Sequence, residues 1–254
     1  MGKQSAITIN QLTVAYDARP VLWNITASLP KEKLTAIIGP NGAGKSTLIK
    51  SMVDFIKPIT GNVLYQIEDE VSQTYKEVKE KLAYVPQNTT VDWDFPTTAM
   101  DVVLMGRYGK IGWFKRPKKK DREIAEQMLL KVGLPTFSDR QISQLSGGQR
   151  QRVFLARALA QEADIYIMDE PLAGVDMKTE RIIMKLLREL VNEGKTVVVV
   201  HHDLQTVEEY FDHVLFINQE VVGSGSVETT FTEELINRTY HQDRNLGEVN
   251  GNDV

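Results

Sequence analysis

The segment Gly39-Pro40-Asn41-Gly42-Ala43-Gly44-Lys45-Ser46 gathers three glycines, a lysine and a hydroxyl into one short stretch. Glycines let a backbone bend with its N–H groups turned inward, and a helix starting there adds positive potential. Such a loop binds an anion. The spacing is that of a nucleotide phosphate loop, in which Lys45 pairs the outer phosphates and Ser46 ligands Mg²⁺. Two carboxylates, Asp169 and Glu170, follow the apolar run Ile165-Tyr166-Ile167-Met168. At the end of a buried strand they divide the labour: Asp169 holds the Mg²⁺ shell, usually through water, and Glu170 polarises a water aimed at the γ-phosphate. His202, just after the apolar run from Thr196 to Val200, is placed to contact the γ-phosphate or that water. Its neighbour His201 should point elsewhere, because side chains alternate as a strand ends. His213 and His241 lack a companion at metal-ligand spacing and read as surface or packing residues. Ser146-Gly147-Gly148-Gln149 opens a further helix, so a second anion-binding helix N-terminus lies in the same chain.

The elements that must position these residues are legible as patterns. Leu34 to Ile38, Ile165 to Met168 and Thr196 to Val200 are short apolar runs of the kind buried on both faces of a parallel sheet. After Gly44, the positions Leu48, Ile49, Met52 and Val53 predict a helix with one apolar face, stopped near Pro58. Asp176 caps a predicted helix whose apolar stripe, Ile182, Ile183, Leu186, Leu187, Leu190 and Val191, runs until Gly194. Residues 62–85 read as a peripheral hairpin carrying an exposed loop or helix. Between Gln87 and Gln144, prolines punctuate amphipathic pieces such as Thr98 to Tyr108 and Asp121 to Val132, which predicts a mostly helical insertion. Alternating buried strands and amphipathic helices indicate an α/β fold with parallel order, and no internal repeat is visible. The polar stretch from His241 to Val254 is expected to be a disordered tail.

Composition narrows the function classes. The chain has 254 residues, 42% of them hydrophobic and 25% charged, enough for one α/β domain with a sizeable core. A net charge of -4 supplies no domain-wide positive field for nucleic acid. The absence of cysteine excludes thiolate catalysis, disulfides and cysteine-ligated zinc. The apolar runs are too short to cross a bilayer, and no apolar signal core follows Met1, so a cytoplasmic setting is expected and any membrane role must come through a partner. The basic run Lys115-Arg116-Pro117-Lys118-Lys119-Lys120 reads first as a solvated loop, with contact to anionic headgroups as the alternative.

Two phosphate-binding features but one nucleotide is a puzzle that a family resemblance resolves. From Tyr16 to about Val222 the sequence resembles the ATP-binding subunit of ABC transporters, with the family's elements once each and in order. These are Tyr16, the phosphate loop Gly39 to Thr47, Gln87, the signature Leu145-Ser146-Gly147-Gly148-Gln149, the pair Asp169-Glu170, Asp176, and His202. The resemblance implies a P-loop NTPase core of RecA-like type with an antiparallel β subdomain and a helical insertion. The domain is expected over 1–240, with the core and β subdomain in 1–87 and 150–240 and the helical part in 88–149. It further implies that Tyr16 stacks on adenine, the rival being a strand aromatic packed in the small sheet. Gly39, Pro40, Asn41, Gly42, Ala43, Gly44, Lys45, Ser46 and Thr47 would hold the phosphates. Ser46, Gln87 and Asp169 would serve Mg²⁺, with Gln87 as a hinge that senses the γ-phosphate and an ordinary polar loop residue as its rival reading. Glu170 and His202 would be catalytic. Two copies would pair head to tail, so that Ser146, Gly147, Gly148 and Gln149 of one cap the ATP of the other, with Asp176 in the dimer loop.

The resemblance also implies partners: multi-spanning permease subunits at the cytoplasmic face of the cell membrane and, indirectly, a substrate-binding protein, with no nucleic acid. The stretch Val91 to Pro96 and Asp101 to Tyr108 is similar to that in subunits of manganese, zinc and iron importers. Trp93, Phe95, Met105 and Tyr108 are either docking anchors or core residues of the insert. One departure stands out: Ala173-Gly174-Val175-Asp176 carries Gly174 where the family more often has alanine, which is expected to loosen that loop while keeping Asp176. The implied activity is ATP hydrolysis coupled to transport. Rival readings are a soluble ABC ATPase in cofactor assembly, an importer subunit for another cargo such as a metal chelate, and a non-hydrolysing regulator, which the intact Glu170 and His202 speak against.

Overall fold

A computed structural model describes residues 5–17, 19–67, 73–87, 96–112 and 115–241. Strands β1 (Ser5–Tyr16) and β2 (Arg19–Pro30) form a hairpin, followed by β3 (Leu34–Ile38) and helix α1 (Lys45–Met52). Strand β4 (Thr60–Tyr65) returns to β1 and completes an antiparallel sheet in the order β2-β1-β4. Along β1 the buried residues change parity, from Ile7 and Ile9 to Leu12 and Val14. A register shift lies between Ile9 and Leu12, and Gln11 there has φ 45°, so the extra residue keeps all four side chains on the core face.

The larger sheet has the order β5-β6-β7-β3-β8-β9. It is built from β5 (Leu82–Val85), β6 (Ile165–Met168), β7 (Thr196–Val200), β8 (His213–Asn218) and β9 (Glu220–Ser226) around β3. All neighbours run parallel except β9, which is antiparallel to β8. Every residue of β3, β6 and β7 is buried, which is why these segments are continuous apolar runs. Of the expected peripheral hairpin over 62–85, the described residues show one antiparallel bridge, between Tyr65 and Gln73, and the two ends of the stretch join different sheets. Its first half, β4, belongs to the small sheet, a four-residue helix α2 (Tyr75–Val78) follows, and β5 pairs with β6 in the large sheet. Local pattern cannot distinguish these outcomes, because β5 is recruited by a strand far along the chain.

The helical stretch contains α3 (Ala99–Met105), α4 (Tyr108–Ile111) and α5 (Lys119–Lys131), and a 3-10 turn, Ile142–Gln144, leads into α6 (Gly147–Ala160). Arg107, between α3 and α4, is buried and staples these pieces together. Its Nη1 donates to Ala160 O at 2.9 Å and Glu162 Oε2 at 2.6 Å, and its Nε lies 3.4 Å from Asp121 Oδ1. One apolar cluster runs from Met100, Val103 and Leu129 through Phe154 and Leu155 to Val197 and Val199 in the large sheet. A second cluster packs Ile7, Ile9 and Leu12 against Leu48, Ile49 and Met52, and against Val198 and Leu215 on the other face of the large sheet. The remaining helices are α7 (Met177–Asn192), α8 (Val207–Tyr210), α9 (Val227–Thr230) and α10 (Glu233–His241). Asp176 caps α7, its Oδ1 accepting Thr179 N–H at 3.0 Å. Trp93 and Phe95 lie outside the described residues, as does the tail from 242 to 254. His213 is buried, in keeping with a packing role.

Candidate functional site

The loop between β3 and α1 ends at Gly44, whose φ of 92° lies in the left-handed region and which serves as the helix N-cap. A Cβ there would stand 2.4 Å from Leu22 Cδ2, so the close approach of β2 also demands glycine. The β8–β9 turn supports the loop from behind: Gln219 N–H donates to Ala43 O at 2.9 Å, while Gln219 O accepts Trp23 N–H at 2.8 Å. A Cβ on Gly39 would sit 1.9 Å from Ile217 O. Lys45 Nζ lies 2.8 Å from both Gly39 O and Pro40 O, which anchors the ammonium at the loop. Burial pushes its pKa down, opposed by the charges of Glu170 and Asp169.

Strand β6 delivers the acidic pair to the same place. Asp169 is fully buried; its Oδ1 accepts from Ser46 Oγ at 3.1 Å and its Oδ2 has no hydrogen-bond partner. Burial raises its pKa, the Ser46 bond opposes that shift, and the charge of Glu170 adds to it. A desolvated carboxylate oxygen left unpaired beside a phosphate-loop hydroxyl is costly by itself and suits a hard divalent cation. Mg²⁺ keeps much of its shell from water and substrate phosphates, so Ser46 and Asp169 are an adequate protein donor set.

Glu170 has φ 53°, an uncommon conformation for a non-glycine residue. Its side chain is held at both oxygens: Oε1 is 2.5 Å from His202 Nε2, and Oε2 accepts from Gln87 Nε2 at 2.8 Å. Gln87 thus meets the Glu170 carboxylate directly. His201 turns away, with Nε2 2.8 Å from Thr206 Oγ1 and its ring against Phe211. The cleft these groups enclose, about 210 Å³, is lined by Val21, by Asn41 to Thr47, and by Glu170 and His202. Tyr16 is not among its lining residues. It ends β1 with 47% of its surface exposed, which removes the reading of an aromatic packed within the small sheet.

Ser146 and its neighbours form a separate cleft of about 110 Å³ with Gly148, Gln149, Arg152, Gly174, Val175, Asp176 and Thr179. The two clefts share no lining residue, so one chain does not bring its signature to its own phosphate loop. Ser146 caps α6, accepting Gln149 N–H at 3.3 Å and donating its own N–H to Gln149 Oε1 at 2.9 Å. Gly174 has φ 72°, so glycine relieves strain here, and the expectation of a loosened loop is revised. Met105 and Tyr108 are each 41% exposed, which sets them outside the core of the helical stretch. Two participants escaped the sequence reading. Gln219 acts only through its backbone and leaves no sequence signal. Gln151, buried on α6, shares a helical face with Leu155 and Ala158, and a polar residue on an apolar stripe was a signal that could have found it.

Among the described residues, no helix is long and apolar enough to cross a membrane. The model of a family described as ABC transporter matches residues 22–173. The manganese transport system ATP-binding protein MntB of Bacillus subtilis (strain 168) is 55% identical over 92% of this chain and 92% of its own length. The zinc transport system ATP-binding protein TroB of Treponema pallidum (strain Nichols) is 51% identical over 92% of this chain and 86% of its own. Among solved structures, a chain of an inward-facing transporter described as of metal-chelate ABC type superposes with TM-score 0.78 at 28% identity, covering 93% of this chain and 89% of that one. A dimeric ATP-binding cassette in a post-hydrolysis state with ADP and phosphate superposes with TM-score 0.75 at 28% identity, covering 87% and 98%. The α/β core, the phosphate loop set between β3 and α1, and these matches along most of the sequence lead to one conclusion: the chain belongs to the ABC transporter family, as an ATP-binding subunit.

Proposed function

We propose that this protein is the ATP-hydrolysing subunit of an importer for a divalent metal ion, manganese or zinc, and that two copies work head to tail on membrane-spanning permease subunits. The observation that carries the catalytic part is the Glu170 carboxylate, held between His202 and Gln87 at the mouth of the phosphate-loop cleft. In this reading Glu170 takes a proton from a water whose oxygen attacks the γ-phosphorus, the bond to the β–γ bridging oxygen breaks, and ADP and phosphate leave. His202 aims the carboxylate and the water, and Gln87 reports the state of Glu170 to the helical stretch. Lys45 and the loop amides neutralise the phosphates; Ser46 and Asp169 would hold Mg²⁺, which would supply further charge neutralisation to the phosphates when bound. Tyr16, exposed at the end of β1, stacks on the base. Ser146, Gly147, Gly148 and Gln149 close over the partner's nucleotide, beside Asp176. The cargo assignment draws on the manganese and zinc systems for which the relatives at 55% and 51% identity are named.

The test is Glu170→Gln. The amide keeps the shape and an acceptor for Gln87 but loses the base, so ATP binding should persist while hydrolysis falls by about 10²–10⁴-fold and an ATP-bound dimer accumulates. Near-normal turnover refutes the role of Glu170. A metal-chelate cargo is the second reading, favoured by the superposition on the metal-chelate type transporter. Uptake of free manganese or zinc by the assembled complex, against a chelated metal, separates the two. Recovery of a soluble partner in place of a multi-spanning one from detergent would favour a cofactor-assembly ATPase.

A further inference from the structure

Gln151 lies on α6, one turn beyond the residues proposed to cap the partner's ATP, and it is 2% exposed. Its Nε2 points to the backbone oxygen of Glu170 at 3.5 Å. That oxygen also accepts Ala173 N–H at 3.1 Å, closing the tight turn in which Glu170 holds its left-handed φ of 53°. The far end of the same turn is clamped as well: a Cβ on Gly148 would stand 2.8 Å from Gly174 O, so the first turn of α6 and the loop backbone are in direct contact. The charge of Asp176 also acts on Arg152 of α6. At Glu170 and Gly174 the loop therefore touches the start of α6, while its end at Asp176 caps α7.

The long hydrogen bond is informative. Donor–acceptor distances of 2.7–3.2 Å are usual for N–H···O contacts, and at 3.5 Å a shift of α6 by a few tenths of an ångström makes or breaks the bond. A buried amide so placed would turn a small displacement of the helix into a change at the carbonyl of Glu170. That residue sits in a sparsely populated backbone conformation that persists only because its surroundings hold it, so a change in what holds its carbonyl bears on how its carboxylate is aimed.

We infer that Gln151 is a positioning residue that couples the two nucleotide sites of the dimer: engagement of one protomer's Ser146 turn with its partner's ATP draws Gln151 onto Glu170 O and aligns the Glu170 that serves the first protomer's own ATP. This rests on the shared-pocket reading above. It gives each protomer a link between the ATP it caps and the ATP it hydrolyses, carried by one side chain across one helix.

The test is Gln151→Met in the full chain, a substitution that keeps length and bulk and removes the donor. Expected results are a kcat lower by up to about tenfold, a KM for ATP within twofold of wild type, and a Hill coefficient for ATP hydrolysis that falls from above one toward one. In the Glu170→Gln background, adding Gln151→Met should leave the ATP concentration needed for dimer formation unchanged, because the cap itself is intact. Gln151→Asn, which keeps the amide but shortens its reach, should act in the same direction, and guards against a fold defect peculiar to Met. A wild-type kcat and Hill coefficient in both variants overturns the inference, and so does a Hill coefficient of one in the wild-type dimer. Loss of dimerisation in the double variant also overturns it, since Gln151 would then shape α6 rather than link the sites. Failure of Glu170→Gln alone to form an ATP dimer removes the shared pocket itself and is thereby distinguished from failure of the coupling.

Discussion

Replacing Asp169 by asparagine should make the nucleotide-free protein more stable while abolishing hydrolysis. Asp169 is fully buried, its Oδ2 lacks a hydrogen-bond partner, and burial holds its pKa above the ordinary carboxylate value. A folded pKa above the unfolded one means that ionisation costs stability: the penalty is absent below the unfolded pKa and grows as pH rises toward the folded one. Above the ordinary carboxylate value the wild type takes on that penalty as pH rises, and asparagine removes it, because a neutral amide needs less solvation than a carboxylate. Ser46 Oγ, 3.1 Å from Oδ1, can still donate to the amide oxygen. The amide group left at the Oδ2 position lacks a partner too, so the gain is only the extra cost of burying a charge over burying a neutral polar group, on the order of 1–3 kcal/mol. For a chain of this size each kcal/mol moves Tm by about 2–4 °C, so Asp169→Asn should melt about 2–12 °C higher. The assay is thermal unfolding without nucleotide or Mg²⁺, repeated with both added. Wild type should gain stability from ATP with Mg²⁺, and the variant should lose the Mg²⁺-dependent part of that gain. A lower melting temperature for the nucleotide-free variant would refute the reasoning, because Asp169 would then be a satisfied structural residue rather than a strained ligand.

Two further outcomes follow from the same geometry and from the helical stretch. His202→Ala removes the ring that lies 2.5 Å from Glu170 Oε1, and should lower kcat by about ten- to a hundredfold with KM for ATP little changed; steady-state ATPase kinetics decide it, and an unchanged kcat rules out the orienting role. Glu162, hydrogen-bonded to Lys110 and Arg107, is held down to a pKa of about 2. Its contribution should be fully present above the ordinary value near 4.5 and be lost as pH falls toward 2. Because Glu162 is half exposed, solvent screening keeps that contribution to about 1 kcal/mol or less. Glu162→Gln should flatten the slope of stability against pH in that window, measured by denaturant unfolding at pH 3–5, and an identical slope would show that the ion pair adds nothing.

What the amino-acid sequence determined by itself was whatever depends on neighbours along the chain. The phosphate loop needs glycines, Lys45 and Ser46 in fixed spacing next to a helix start, so its chemistry is written in consecutive residues. Likewise β3, β6 and β7 are buried on both faces and show it as apolar runs, and Asp176 sits one residue before the helix it caps. The tertiary structure alone decided which sheet β4 and β5 joined. Leu82–Val85 has no local mark that sends it to the parallel sheet, because its partner β6 begins some eighty residues later. The structure also decided that Gln87, Glu170 and His202 form one hydrogen-bonded set, since their side chains come from three separate segments that meet only at the ends of the strands. Burial of Asp169 Oδ2 and of Gln151 likewise depends on what packs over them. Backbone geometry and periodicity are local properties, whereas desolvation and convergence belong to the packed whole, and in this protein the proposed catalytic groups depend on both.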